Sequence, residues 1–160
     1  MKNKTKIIII ICYILLSSIS SGFAINEEAP QIYGKTLNNT NFILSKNNGK
    51  LRLINFFTTN CKYCKKELPE LAVMEKEMPE VLFIAVCVGN LNKTKVKKFI
   101  NALPKAPKLI VCAGEQVKKD YGIIGYPYSV IIDKKGHIIN TIPGYNTKII
   151  KTLLKKLVKP

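Results

Sequence analysis

The chain predicts an α/β fold, a mixed central sheet with helices on both faces, and three observations carry that prediction. Val81–Val88 is almost wholly apolar, as a central parallel strand buried on both faces must be. Segments of strand length alternate with segments of helical period along the chain. The last segment, 146–158, sets apolar residues at helical spacing against lysines, the pattern of a helix laid on a sheet.

The elements follow in order. Residues 36–44 and 51–57 read as strands joined by a turn at Asn47-Asn48-Gly49. Residues 61–78 read as a helix in which Pro69 removes one backbone donor and should introduce a kink. After Val81–Val88, residues 93–103 form a helix with Asn92 as its cap. Pro104 and Pro107 bracket a loop before a strand over 108–112 and a short helix over 115–121. Residues 129–133 and 137–142 make a hairpin around Lys134-Lys135-Gly136. In the final helix Ile149, Ile150, Leu153, Leu154, Leu157 and Val158 are expected to face inward.

One hundred and sixty residues suit one domain with a sizeable core. Residues 1–24 stand apart from it. Lys2, Lys4 and Lys6 form a basic start, an apolar run of ten residues spans 7–16, and Gly22-Phe23-Ala24 offers small residues for cleavage. The segment reads as a signal peptide cut after Ala24, leaving a domain over 25–160. An uncleaved anchor is the rival reading, but a spanning helix needs about 20 apolar residues. Cys12 lies in this segment and is expected to be absent from the mature chain.

The formal charge is +16, or +13 once Lys2, Lys4 and Lys6 are removed. The lysines are dispersed, as at Lys93, Lys95, Lys97 and Lys98, which describes a solvated surface. Such a surface, or an uncleaved anchor, would allow peripheral contact with anionic membranes. Nucleic-acid binding is not expected, because no stripe of basic residues is interleaved with stacking groups.

Cys61-Lys62-Tyr63-Cys64 carries the chemistry. It follows a strand and opens a helix, so two thiols spaced i, i+3 share one helix face and can close a small ring. The helix start favours an anion, so Cys61 is expected to be the attacking thiolate and Cys64 the resolving thiol. A zinc site would need two further ligands, yet Cys12, Cys87 and Cys112 are single and His137 is the only histidine. A structural disulfide is the other bland reading.

The stretch from Phe56 to Pro69 resembles the active-site segment of the thioredoxin superfamily, most closely its exported TlpA/ResA group of thiol–disulfide oxidoreductases. Residues 121–133 resemble the same family's cis-proline segment, Lys134-Lys135-Gly136 its hairpin turn and Pro143-Gly144-Tyr145 the glycine before its last helix. The resemblance covers residues 28–158 and implies a thioredoxin-like fold, with residues 93–112 as the helix–strand insertion typical of the TlpA-like group. It further implies a cis bond before Pro127, with the backbone of Tyr126 pairing with an extended substrate. Glu67 matches the glutamate of a CxxCxxE motif that tunes the cysteine pair. Partly desolvated, it would have a raised pKa and could shuttle the proton of Cys64; as a surface residue it would only pair with lysines. Asn55 stands where thioredoxin has a buried acid and cannot titrate. Asn60 replaces a common tryptophan, Phe57 stands where a second aromatic, often tryptophan, sits, and Tyr128 replaces the usual threonine, departures that bear on substrate preference and potential.

Cys87 and Cys112 each close an apolar strand and read as small hydrophobes. The resemblance sets those strands side by side, which leaves a second disulfide open, although adjacent parallel strands fit its geometry poorly.

The expected activity is therefore an exported, periplasmic reductase of protein disulfides, in the group that often serves cytochrome c maturation. Its partners would be cysteine-containing exported proteins and an upstream membrane or soluble thiol donor; no cofactor and no metal are implied. An oxidase or isomerase uses the same residues, separated only by potential and partner. A peroxiredoxin-like peroxidase finds an echo in Thr58, three residues before Cys61, but lacks the preceding proline. A metal chaperone would want further soft ligands near the pair. Asn55 and Glu67 favour a reductant, with a potential nearer thioredoxin's, about −270 mV, than the oxidising extreme near about −120 mV.

Overall fold

The computed structural model describes residues 26–89 and 91–158. The expected signal segment and Cys12 lie outside them. Seven strands form one sheet: β1 (Tyr33–Thr36), β2 (Asn41–Ile43), β3 (Leu51–Phe57), β4 (Val81–Val88), β5 (Leu109–Ala113), β6 (Tyr128–Ile132) and β7 (Ile138–Pro143). Their order is β2-β1-β5-β4-β3-β6-β7. The three central strands run parallel, whereas β1, β2, β6 and β7 pair antiparallel with their neighbours. The mixed sheet of the expected thioredoxin-like fold is thus present. The helices are α1 (Cys64–Glu77), α2 (Lys93–Asn101), α3 (Gln116–Asp120) and α4 (Thr147–Val158). None of the described helices is long and apolar enough to cross a membrane.

The two faces are filled differently. Because strand side chains alternate, Leu51, Leu53 and Phe57 of β3 point to one face and Ile54 and Phe56 to the other. The first face is covered by α1, α2 and α4, through residues such as Leu68, Leu71, Val96, Phe99, Ile150 and Leu154. The second is covered by α3, with Val117, by Tyr121 just after it, and by the amino-terminal segment, with Ile32, Phe42 and Leu44. Tyr121 stacks obliquely on Phe56, ring centroids 4.8 Å apart, and its hydroxyl donates to the Pro30 carbonyl at 2.6 Å.

Three expectations are corrected. The single strand expected over 36–44 is a hairpin, because Thr36 and Thr40 close a turn through their hydroxyls and through the Thr36 N–H to Thr40 carbonyl bond of 2.9 Å. Gly34 lets β1 lie close against β5, since a Cβ there would stand 2.6 Å from the Cys112 carbonyl. In α4, Ile150 and Leu154 are fully buried, but Ile149 and Leu157 are 47% and 44% exposed. Six apolar positions make a stripe wider than the sheet can cover. The third concerns the start of α1, which falls at Cys64 rather than Cys61.

The helix α2 starts as expected, with the Asn92 side chain accepting from the Lys95 N–H at 3.3 Å. Gly136 holds φ +111° in the β6–β7 turn, and Asp133 Oδ1 accepts from the N–H groups of Lys135, Gly136 and His137 at 2.8–2.9 Å. His137 is half-buried, its Nδ1 3.5 Å from the Asp133 carboxylate.

Candidate active site

The strand β3 delivers the cysteines to the carboxyl end of the sheet. Its last residue, Phe57, stacks on Phe99 of α2 with centroids 5.6 Å apart. The chain then turns, with the Cys61 N–H donating to the Thr58 carbonyl at 3.3 Å, and α1 begins three residues later. Thr58, whose spacing suggested a peroxidase, meets Cys61 here through its backbone.

Cys61 and Cys64 are joined, with an S–S distance of 2.10 Å and Cα atoms 5.3 Å apart. The displaced helix start has a chemical consequence. Cys61 sits ahead of the helix, so the Cys64 N–H points back and donates to Cys61 Sγ at 3.1 Å. One of the orphan donors of the helix is thereby aimed at the sulfur that would carry negative charge. The two cysteines differ in access: Cys61 is half-buried and Cys64 is wholly buried.

Tyr126-Pro127 is a cis peptide bond, as the resemblance implied. It precedes β6, which lies beside β3 in the register Phe56↔Tyr128. The proline loop and the cysteine turn therefore leave the sheet from neighbouring strands at the same edge. Tyr126 and Cys61 both pack on the cluster containing Phe57, Cys64 and Phe99. Burial, then the nearby Glu115 and Cys87, pushes the Tyr126 phenol up to about 12. Tyr128, in place of the usual threonine, is buried and packs toward Phe56 at 6.5 Å.

Glu67 is no surface residue: it is fully buried, one turn beyond Cys64 in α1. Oε2 accepts from Asn55 Nδ2 at 2.7 Å and Oε1 from the Asn146 N–H at 3.1 Å. Desolvation raises its pKa, and Glu70 adds to the rise, against the lowering effect of those two hydrogen bonds. Asn55 also donates to Ser129 Oγ at 2.8 Å. Sequence reasoning missed Ser129 and the Asn146 amide. A buried serine in an otherwise apolar β6 was the available signal.

Cys87 and Cys112 are register partners on adjacent parallel strands, both buried and both free. The second disulfide is therefore not formed. Burial, then the neighbouring Cys112, pushes the Cys87 thiol up to about 12, so it is a poor nucleophile. Among the described residues no group of three or more His, Cys, Asp or Glu side chains is arranged to hold a metal ion.

A half-buried sulfur joined to a buried one at the mouth of such a sheet, beside a cis-proline loop, defines a thioredoxin-like dithiol–disulfide exchange protein. The AhpC/TSA family model matches residues 25–141. The thioredoxin-like protein YneN of Bacillus subtilis is 31% identical over 130 residues, which cover 79% of this chain and 76% of that one. The thiol–disulfide oxidoreductase ResA of Bacillus thuringiensis is 32% identical over 136 residues, covering 83% and 78%. Among solved structures, a thiol:disulfide interchange protein from a Bacteroides species matches with TM-score 0.68 at 25% identity, over 82% of this chain and 89% of that one. The thioredoxin domain of a Bacteroides vulgatus thiol–disulfide oxidoreductase matches in fold with TM-score 0.72 at 23% identity, over 86% and 100%. The chain belongs to the AhpC/TSA family, as a TlpA/ResA-like thiol–disulfide oxidoreductase of the thioredoxin superfamily.

Proposed function

We propose that this enzyme is exported and reduces disulfides of other exported proteins, with Cys61 as nucleophile, Cys64 as resolving thiol and Glu67 as proton carrier. The observation that carries the reading is the asymmetry of the pair: Cys61 is half-buried and receives the Cys64 N–H, while Cys64 is wholly buried, three residues before a buried carboxyl on the same helix.

Exchange proceeds in two displacements at sulfur. The Cys61 thiolate attacks one sulfur of a target disulfide, forming a mixed disulfide and expelling the target's other sulfur as a thiolate. Glu67 takes the proton of Cys64. The Cys64 thiolate attacks Cys61 Sγ, closes the Cys61–Cys64 bond and releases the second target thiolate. The target gains two electrons and the enzyme loses two, which an upstream membrane or soluble thiol donor restores. The backbone of Tyr126, before cis-Pro127, aligns the target chain. Periplasmic proteins with paired cysteines are the substrate class, and cytochrome c maturation, which this group often serves, is the first process to examine.

Residues 1–24 act in this reading as a cleaved signal peptide. Asn26 and Ala29 donate to the carbonyls of Ile138 and Gly136 at 2.9 Å, so a cut after Ala24 leaves these sheet contacts on the mature chain. Reductase and oxidase share every step and differ in direction. The deciding experiment is the reduction potential of the Cys61–Cys64 couple together with turnover of an insulin-type disulfide substrate. A value near about −270 mV fits the reductase, whereas one near about −120 mV with rapid oxidation of a dithiol substrate rejects it.

A further inference from the structure

Behind the disulfide, polar side chains from α1, β3 and β6 meet inside the core. Glu67 and Ser129 are fully buried and Asn55 is 2% exposed. Asn55 Nδ2 donates to both Glu67 Oε2 and Ser129 Oγ, at 2.7 and 2.8 Å. Asn55 Oδ1, equally buried, has no hydrogen-bond partner. Buried polar atoms are nearly always paired, so an orphan beside a buried carboxyl calls for a reason.

The reason lies in what each form of Glu67 requires. An ionised carboxyl only accepts, and a protonated one must also donate. In the observed arrangement both Glu67 oxygens face donors, Asn55 Nδ2 and the Asn146 N–H. That arrangement suits the carboxylate and leaves no acceptor for a carboxyl proton. If the Asn55 amide turns over, Oδ1 faces Glu67 and Ser129 and accepts an O–H from each. The orphan is then Nδ2, directed where Oδ1 now points. Each orientation leaves one amide atom unpaired, so the surroundings do not lock the amide in either.

We propose that Asn55 is the positioning residue for a proton on Glu67: its amide turns over when Glu67 gains or loses that proton, and Ser129 serves both orientations, accepting in one and donating in the other. The carboxyl is thus hydrogen-bonded in both forms inside the core. The inference rests on the reading above that Glu67 takes the proton of Cys64. In that step the Cys64 S–H bond breaks, the proton moves to Glu67, and the amide rotates without any further reactant. Passing that proton to the departing target thiolate restores the Glu67 carboxylate and returns the amide to the orientation observed beside the Cys61–Cys64 disulfide.

The groups facing Glu67 permit such a switch. Glu70 lies on its own helix, and Tyr145 stands in the loop before α4 with its hydroxyl donating to Glu70. From β3 and β6, only the neutral Asn55 and Ser129 hydrogen-bond within the network. Cys64, one turn back, is joined to Cys61 in the oxidised protein.

The test is nuclear magnetic resonance on the whole protein, with labelled asparagine side-chain nitrogen and glutamate carboxyl carbon, titrated with acid in the oxidised and reduced forms. The Asn55 Nδ2 signal is expected to shift with the same midpoint as the Glu67 carboxyl carbon, and to stop shifting in Glu67→Gln. A Glu67 carbon that titrates while the Asn55 amide stays still overturns the amide switch and leaves the proton role of Glu67 standing. A Glu67 carbon that titrates in neither redox form overturns both.

Discussion

Glu67 on α1 accepts a hydrogen bond from the backbone N–H of Asn146 at 3.1 Å, so the helix that carries Cys64 is tied to the start of the last helix through one buried carboxyl. The next turn repeats the link. Glu70 accepts from the hydroxyls of Thr147 and Tyr145. Two glutamates spaced i, i+3 thus grip residues 145–147 from one helix face. At the other end of the helix pair Lys151 and Glu77 meet at 2.7 Å, an exposed ion pair of little energetic weight. The helix that carries Cys64 is therefore held at its disulfide end by hydrogen bonds to two glutamates and at its far end by an exposed ion pair.

The raised pKa of Glu67 makes stability depend on pH in a definite direction. The unfolded chain ionises first, and the folded chain must then bury a charge or hold a proton. Stability from this group is full below the ordinary glutamate range and is lost as pH rises through the higher folded value. Urea unfolding across this range should show the loss in the parent protein and a flatter profile in Glu67→Gln. Equal slopes in the two proteins would remove Glu67 from the account.

The asymmetry of the cysteines predicts which variant traps a target. Cys64→Ala should accumulate mixed disulfides through Cys61, and Cys61→Ala should not, as read by non-reducing electrophoresis of the protein mixed with a disulfide substrate. Iodoacetamide should modify Cys61 before Cys64 in the reduced protein. Capture through Cys64 alone would reverse the assignment.

The two sides of α4 should respond very differently to truncation. Ile150 is fully buried, and Ile150→Ala should lower unfolding free energy by about 2–5 kcal/mol. Ile149 is 47% exposed, and Ile149→Ala should change it by only about 0.5 kcal/mol. Chemical denaturation of both variants checks the placement, and similar losses would contradict it.

Asp133 predicts a dependence of the opposite sign. Burial alone would raise its pKa, but the N–H groups of His137, Gly136 and Lys135 hold it below the usual carboxylate range. The stabilisation is present above that range and is lost as pH falls through the low folded value. Asp133→Asn should therefore be less stable than the parent at neutral pH and converge with it in acid. A gap that persists unchanged in acid would assign the effect to shape rather than charge.

Export has a direct readout. Mass spectrometry of the protein from its native cell envelope should find the amino terminus at Ile25, and an intact Met1 would indicate an anchor instead.

Much of the molecule was legible in the sequence because its signals are local. The apolar run of β4, the Asn92 cap and the Lys134-Lys135-Gly136 turn each depend on neighbours a few residues away, and each appears where expected. The cysteine pair was legible for the same reason, and cis-Pro127 by resemblance. Arg52 was not. It lies in β3 yet is 1% exposed, its guanidinium donating to Asn48 Oδ1 at 2.7 Å and to the Asp133 carbonyl at 2.8 Å. Its second partner is 81 residues away along the chain, so no window of sequence contains the pair.

The sequence by itself determined the strand–CxxC–helix order, the periodicities that build the sheet, and the presence of a glutamate one turn beyond Cys64. Only the tertiary structure decided that this glutamate is buried, that Asn55 and Ser129 are its companions, and that Cys87 and Cys112 lie in register yet unbonded. The physical reason is that dihedral preference and hydrophobic period act over a few residues. Burial of a charge and the pairing of its hydrogen bonds are settled where β3, β6, α1 and the loop before α4 converge, and that meeting exists only in the folded chain.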